Sequence, residues 1–127
     1  MHGIVLKMTC NLFMGRFKIT NKQRLEHIIE AINKIENYCK DQDIKSFCKT
    51  EILHDAVLHQ FLIIGEAIIN IDKDILDKYK YPWHSPRSFR NYIAHEYFGI
   101  NPEKVWNTVT IEIPLLKEAI DQIYRNY

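Results

Sequence analysis

The stretch Arg90-Asn91-Tyr92-Ile93-Ala94-His95-Glu96-Tyr97 gathers side chains able to act on a phosphodiester. Arginine is permanently charged and forks onto phosphate oxygens. Histidine titrates near neutrality and serves as general base or acid. Asn91 and Tyr97 add hydrogen-bond donors. These are the groups that metal-free RNA cleavage needs: one takes the proton from a 2′-hydroxyl, and others stabilise charge building on phosphorus. The competing reading is a helix end whose Arg and His make surface hydrogen bonds. Spacing constrains the chemistry. Five residues of a regular helix turn about 500°, which leaves Arg90 and His95 about 140° apart around the axis. One straight helix cannot easily aim both at one phosphate. Either the helix distorts near His95, or a two-fold partner supplies a second set.

Around this octapeptide, the segment from Lys78 to His95 contains no acid. Lys78, Lys80, Arg87 and Arg90, with His84 and His95, alternate with Tyr79, Tyr81, Trp83, Phe89 and Tyr92. Cations attract phosphate and aromatic faces accept unstacked bases, so Lys78, Lys80, Trp83, His84 and Arg87 are candidate RNA contacts. The alternative is that the rings pack under the end of a bundle while the cations stay solvated. Glu66 stands alone in an apolar stretch, where an unpaired carboxylate is costly. It either pairs inside the bundle, with Arg90 as a candidate partner, or faces the site. His54 and His59 are five apart and lack a third ligand at zinc spacing. No metal and no cofactor is expected. Ser85 and Ser88 have no acid–His arrangement nearby in sequence, and no Gly-rich loop is present to cradle a nucleotide.

Helices must position these groups. Thr20 with Gln23 forms a capping box, after which Leu25, Ile28, Ile29, Ile32, Ile35 and Cys39 recur at spacings of 3 and 4. This predicts a helix over about 21–40. Asp43 can cap a short turn at 44–48, and Thr50 can cap a helix reaching about residue 71. That helix is nearly apolar from Phe61 to Ile69 and should be the central buried one. Asp72 can cap a short helix over 73–79. Ser85-Pro86 reads as a cap followed by Pro at the first helical position, starting a helix from 86 to about 96, which Gly99 is placed to stop. Asn101-Pro102-Glu103 starts the next helix, with Val105, Val109, Ile113, Leu116, Ile120 and Ile123 as its buried face, and Pro114 should kink or split it near Glu112. The expected architecture is an all-α, up-down bundle of four to five helices.

Composition agrees. One domain is expected from 127 residues, and only 4 Gly and 4 Pro favour long helices over a many-turned β fold. A net charge of +1 excludes a histone-like polycation and an acidic tail. Cys10, Cys39 and Cys48 are odd in number with no CxxC pattern, which speaks against a disulfide framework and for a cytoplasmic protein; Cys39 and Cys48 read as buried apolar positions. No apolar run approaches the length of a membrane span. Residues 1–19 carry Lys7, Arg16 and Lys18 without an acid and lack a clean signal-peptide core, so they read as a leader, a flexible extension or an early start ahead of Met8 or Met14. Residues 20–127 are the helical domain.

The pattern Arg-x4-His-x-Tyr, met by Arg90, His95 and Tyr97, resembles that of the HEPN superfamily and within it the HepT-like branch, the toxins encoded beside minimal nucleotidyltransferases. Asp55-Ala56-Val57, Ile63-Ile64-Gly65-Glu66-Ala67, Tyr81-Pro82-Trp83, His95 through Gly99 and Val105-Trp106 resemble that branch in order and spacing, across about residues 21–124. The resemblance implies a helical bundle, a homodimer with motifs facing across the two-fold, and metal-independent endoribonuclease activity in a type VII-like toxin–antitoxin system. By position it makes Arg90 and His95 the catalytic pair, with Asn91 as polar helper. It also implies a nucleotidyltransferase partner that uses ATP to transfer AMP to a motif tyrosine, Tyr97 first and Tyr92 as rival. Two other readings stand beside this one: a non-catalytic nucleotide-binding or adaptor dimer partnering a nucleotidyltransferase, and a purely structural helical partner.

Overall fold

A computed structural model describes residues 18–127. The extension expected over 1–19, with Cys10 and the starts Met8 and Met14, falls almost wholly outside the described residues. The first helix, α1 (Asn21–Cys39), opens with the expected box: Thr20 Oγ1 accepts from the Gln23 N–H at 3.1 Å, and Gln23 Oε1 accepts from the Thr20 N–H at 2.9 Å. Asp43 likewise caps α2 (Ile44–Lys49), accepting from the Ser46 N–H at 2.8 Å.

Thr50 precedes α3 (Glu51–Asn70) but does not cap it with its side chain. Its hydroxyl instead donates to the Ser46 carbonyl at 2.7 Å, closing α2. Asp72 is also no side-chain cap. Its carboxylate accepts from Asn21 Nδ2 and its own N–H donates to Asn21 Oδ1, both at 3.0 Å, so it pins the start of α1 to the corner after α3. The short helix α4 (Lys73–Leu76) is correspondingly briefer than expected.

Helix α5 (His84–His95) starts two residues before Pro86, with Trp83 at the cap position and no side-chain cap. Ser85 and Pro86 fall in the first turn, where a missing N–H costs nothing because that N–H has no helical acceptor. The helix ends at His95, followed by a 3₁₀ turn, Tyr97–Gly99. No glycine has a positive φ among the described residues, so Gly99 is not a left-handed stop. Asn101 then accepts from the Glu103 N–H at 2.9 Å and caps α6 (Pro102–Asn107). A π-helical segment, Thr108–Glu112, joins α6 to α7 (Ile113–Arg125). The interruption falls where Pro114 was expected to cause one. Pro114 offers no N–H to the Thr110 carbonyl four residues back, and its ring crowds that carbonyl.

The result is an all-α bundle of four principal rods, α1, α3, α5 and α6–α7, with no strand among the described residues. Leu25, Ile28, Ile32 and Ile35 of α1 are wholly or almost wholly buried with Val57, Ile64 and Ile68 of α3 and Ile120 and Ile123 of α7. Each such side chain contributes about 1.5–3 kcal/mol through removal from water. By length and composition alone α3 could cross a membrane, with a mean hydropathy of 1.5, but it is the core helix of this bundle, packed against α1 and α5. Its apolar run is not uniformly buried: Ile69 is exposed. Phe47 of α2 meets Trp106 of α6 with ring centroids 5.2 Å apart, docking the short helix on the last rod.

Candidate functional site

The crossing of α3 and α5 is set by Gly65. A Cβ there would stand 2.6 Å from Arg90 Cγ, inside contact distance of Arg90 Cβ, and 3.4 Å from the Pro86 carbonyl oxygen. The stem of Arg90 therefore lies directly on the α3 backbone. Its guanidinium emerges beside the next residue of that helix: Nη2 lies 3.3 Å from Glu66 Oε2, and Nη1 donates to Asn91 Oδ1 at 3.2 Å. Glu66 is thus paired with Arg90, as one of its expected placements had it, but not inside the bundle. The side chains are 59% and 35% exposed respectively, so Glu66 escapes the cost of burial, and the pair contributes at most about 1 kcal/mol. What it supplies is orientation: Glu66 holds one amine of the guanidinium and Asn91 the other, each leaving a further N–H of its amine for a ligand.

Arg90, Asn91, Ala94 and His95 share the outer half of α5, with Asn91 and His95 exposed. The helix is regular to His95. No distortion brings His95 round to Arg90, and the two stay about 140° and roughly 7.5 Å apart about and along the axis. Just past His95, Tyr97 is half exposed and sets its ring edge-to-face on Phe98, with centroids at 5.5 Å. Phe98 is wholly exposed, a large apolar ring left in water at the edge of the polar face.

The flanking aromatics do not form a stacking platform on the outer face of α5 beside Arg90. Trp83 is buried, and its indole N–H donates to the Leu76 carbonyl at 2.9 Å and the Tyr79 carbonyl at 3.3 Å, locking the turn after α4 onto the start of α5. Its expected place among RNA contacts is corrected: no face is available for a base. Tyr79, Tyr81, Phe89 and Tyr92 are partly buried against the core. Lys78, Lys80 and His84 are exposed; Arg87 is partly buried, its Nε shielded and without a hydrogen-bond partner. Tyr92 lies under Lys104, whose ammonium is 4.0 Å from the ring centre, and stacks on Phe89. Cys39 and Cys48 are only partly buried; burial still pushes the Cys39 thiol up to about 11. His54 packs edge-on to Phe47, and no group of three or more His, Cys, Asp or Glu placed to hold a metal occurs among the described residues.

One feature lay beyond the sequence signals. A cavity of about 310 Å³ opens on the side of α5 turned away from Arg90, between α3, α5 and the last rod. Phe61, Phe89, Tyr92 and Ile113 line its interior, and His84, Lys104 and Glu112 stand among its polar groups. Burial, with the Glu112 carboxylate nearby, raises the Tyr81 phenol at its wall to about 12. Its residues come from three separate stretches, 61–64, 81–92 and 104–116, so only the spacing of Ser85, Ser88, Phe89 and Tyr92 on one helical face hinted at it.

Residues 28–123 match the Ribonuclease HepT-like family. The chain is 33% identical over 105 residues to a "Putative RNase" of Caldanaerobacter subterraneus subsp. tengcongensis, covering 82% of this chain and 94% of that protein. It is 33% identical over 107 residues to a "Probable ribonuclease HepT" of Thermococcus cleftensis, covering 84% and 97%. A "Gamma-glutamylcyclotransferase and putative RNase" of Methanocaldococcus jannaschii is 39% identical over 100 residues, 78% of this chain but 45% of the relative, so the chain spans less than half of that protein. No solved structure matches the chain.

Proposed function

The chain belongs to the HepT-like ribonuclease family, and from that premise we propose that it is a metal-independent endoribonuclease working as a homodimer. The observation that carries this reading is the outer face of α5. Arg90 is held by Gly65, Glu66 and Asn91 with part of its fork free, while His95 is exposed at the end of the same helix. Arg90 binds the scissile phosphate and stabilises its growing negative charge. His95 accepts the 2′-hydroxyl proton as the 2′-oxygen attacks phosphorus, and a protonated His95 returns a proton to the 5′-oxygen that leaves. The products are a 2′,3′-cyclic phosphate and a 5′-hydroxyl. The angular gap between Arg90 and His95 within one α5 is what a second α5, facing the first across a two-fold, removes. The small Ala94 between them permits close approach, and the exposed Phe98 gives the contact an apolar edge.

In the cell, this cytoplasmic enzyme acts as the toxin of a type VII-like pair. Its nucleotidyltransferase antitoxin silences it by AMP transfer: a tyrosine oxygen attacks the α-phosphorus of ATP, pyrophosphate leaves, and the phenolic proton passes to solvent. Tyr97 is the acceptor that the geometry favours, because it is half exposed, whereas Tyr92 is covered by Lys104 and stacked on Phe89. The added phosphate and adenosine would stand where RNA phosphate must sit. The test is cleavage of mixed RNA in excess EDTA by mass-verified unmodified protein beside His95→Ala. Cleavage by the wild type alone, with cyclic-phosphate ends, supports the proposal. Intact RNA with both proteins overturns it in favour of a non-catalytic nucleotide-binding or adaptor dimer.

A further inference from the structure

The cavity behind α5 is not used by the chemistry above, yet it borders it. Tyr92 lines the cavity and His95 lies three residues on, a neighbouring position on the helix surface about 60° round and roughly 4.5 Å along. A nucleotide at His95 therefore has its neighbour's base within reach of the cavity mouth. The interior is suited to a flat ring. Phe61 and Phe89 meet edge-to-face at 4.8 Å, Phe89 stacks on Tyr92, and Ile113 adds to the apolar lining. Single-stranded RNA is read by inserting unstacked bases among aromatic rings and bonding their Watson–Crick edges.

The charges at the mouth select among bases. Glu112 and Lys104 both line the cavity, and neither makes an ion pair among the described residues. A carboxylate only accepts hydrogen bonds, through two oxygens side by side. Guanine alone presents two adjacent donors, N1–H and N2–H, on its Watson–Crick edge. Adenine and cytosine each set a ring-nitrogen lone pair beside their amine, and uracil flanks its single N–H with two carbonyls, so each opposes a lone pair to the carboxylate. Glu112 also belongs to the π-helical segment, a type of irregularity that recurs at functional sites. The ammonium of Lys104, over the Tyr92 ring, is placed to attract the nucleotide's phosphate.

We propose that this cavity is a base-recognition subsite that holds an unpaired guanine of the RNA, with Glu112 reading its edge and Lys104 its phosphate. The substrate class follows from RNA cleavage at the neighbouring face and so rests on that reading, but the subsite itself is testable without catalysis. The four ribonucleoside monophosphates are titrated separately into the full chain and followed by thermal shift and by amide chemical shifts. GMP is expected to bind at least tenfold more tightly than AMP, CMP or UMP. Glu112→Gln should abolish that preference, and Lys104→Ala should weaken GMP without changing the preference. Both positions are exposed, and the melting temperature of each variant without ligand verifies its fold. In parallel, the cleavage ends left by wild type and Glu112→Gln are sequenced; a guanine enriched at one fixed position should be lost in the variant. Equal binding of all four nucleotides, binding of none, or an unchanged base preference in Glu112→Gln overturns the subsite. Selective GMP binding without any RNA cleavage upholds the subsite and refutes the ribonuclease reading alone.

Discussion

Gly65→Ala tests whether the α3–α5 crossing positions Arg90. The new Cβ would stand 2.6 Å from Arg90 Cγ and also collide with Arg90 Cβ. Carbon atoms pack at about 3.5–4.0 Å, so the two helices must move apart by about 1 Å. Rotation of the Arg90 side chain cannot relieve this, because its Cβ is fixed to the backbone. Overpacking of this kind costs about 1–3 kcal/mol, and replacing Gly by Ala inside a helix returns about 1 kcal/mol. The net loss is up to about 2 kcal/mol, read as a fall in Tm of up to about 8 °C. The protein stays folded at 25 °C, yet Arg90 is displaced by about 1 Å, which is worth on the order of 100-fold in a cleavage rate. The assay pairs thermal unfolding with RNA cleavage at 25 °C. A stability cycle isolates the cause: the cost of Gly65→Ala should persist in an Arg90→Ala background, where the Cβ remains, and vanish in Arg90→Gly. A Gly65→Ala protein with raised Tm and unchanged cleavage would refute the reasoning.

Two further outcomes follow from the same geometry. Trp83→Phe keeps a ring in place but removes one of two donors to the Leu76 carbonyl, which retains the Tyr79 N–H at 3.0 Å, at a cost of about 0.5–1.5 kcal/mol, seen as a shift of the denaturation midpoint with little change in slope. Asp43→Ala removes the cap of α2. The Ser46 N–H holds the Asp43 carboxyl below the usual carboxylate range, so its contribution is complete above the unfolded value of about 3.9 and is lost as pH falls through the lower folded value. The Tm gap between wild type and Asp43→Ala should therefore be full at pH 7 and close progressively below about pH 4.

Much of this was legible in the sequence because periodicity and capping are local. Thr20 with Gln23, Asp43, and the break imposed by Pro114 appear where the pattern put them. The misses share a cause. Asp72 and Thr50 carry good capping side chains, but Asn21, 51 residues away, claims one and the Ser46 carbonyl the other, and such competition cannot be read along the chain. Trp83 has the composition of a stacking residue, yet two carbonyls draw its N–H inward. The Arg90–Glu66 pairing was readable as a need for a partner. That Gly65 is the seat on which Arg90 rests was not, because a glycine in a helix announces nothing until a neighbouring helix lies across it.

The pairing of α1 with α7 bears on how the protein is made. Lys117 reaches Glu36 at 2.8 Å and Tyr124 reaches Glu26 at 3.1 Å, tying helices whose C-terminal ends lie roughly 86 residues apart in the chain. At ribosomal rates of about 5–20 residues per second, α1 waits about 4–17 s after its own synthesis for α7 to exist. Through that interval Ile28, Ile32 and Ile35 have at most α3 to lie against. The half-made bundle is therefore both sticky and unfinished, and chaperone occupancy of nascent chains should peak after α3 emerges and fall once α7 is free to dock.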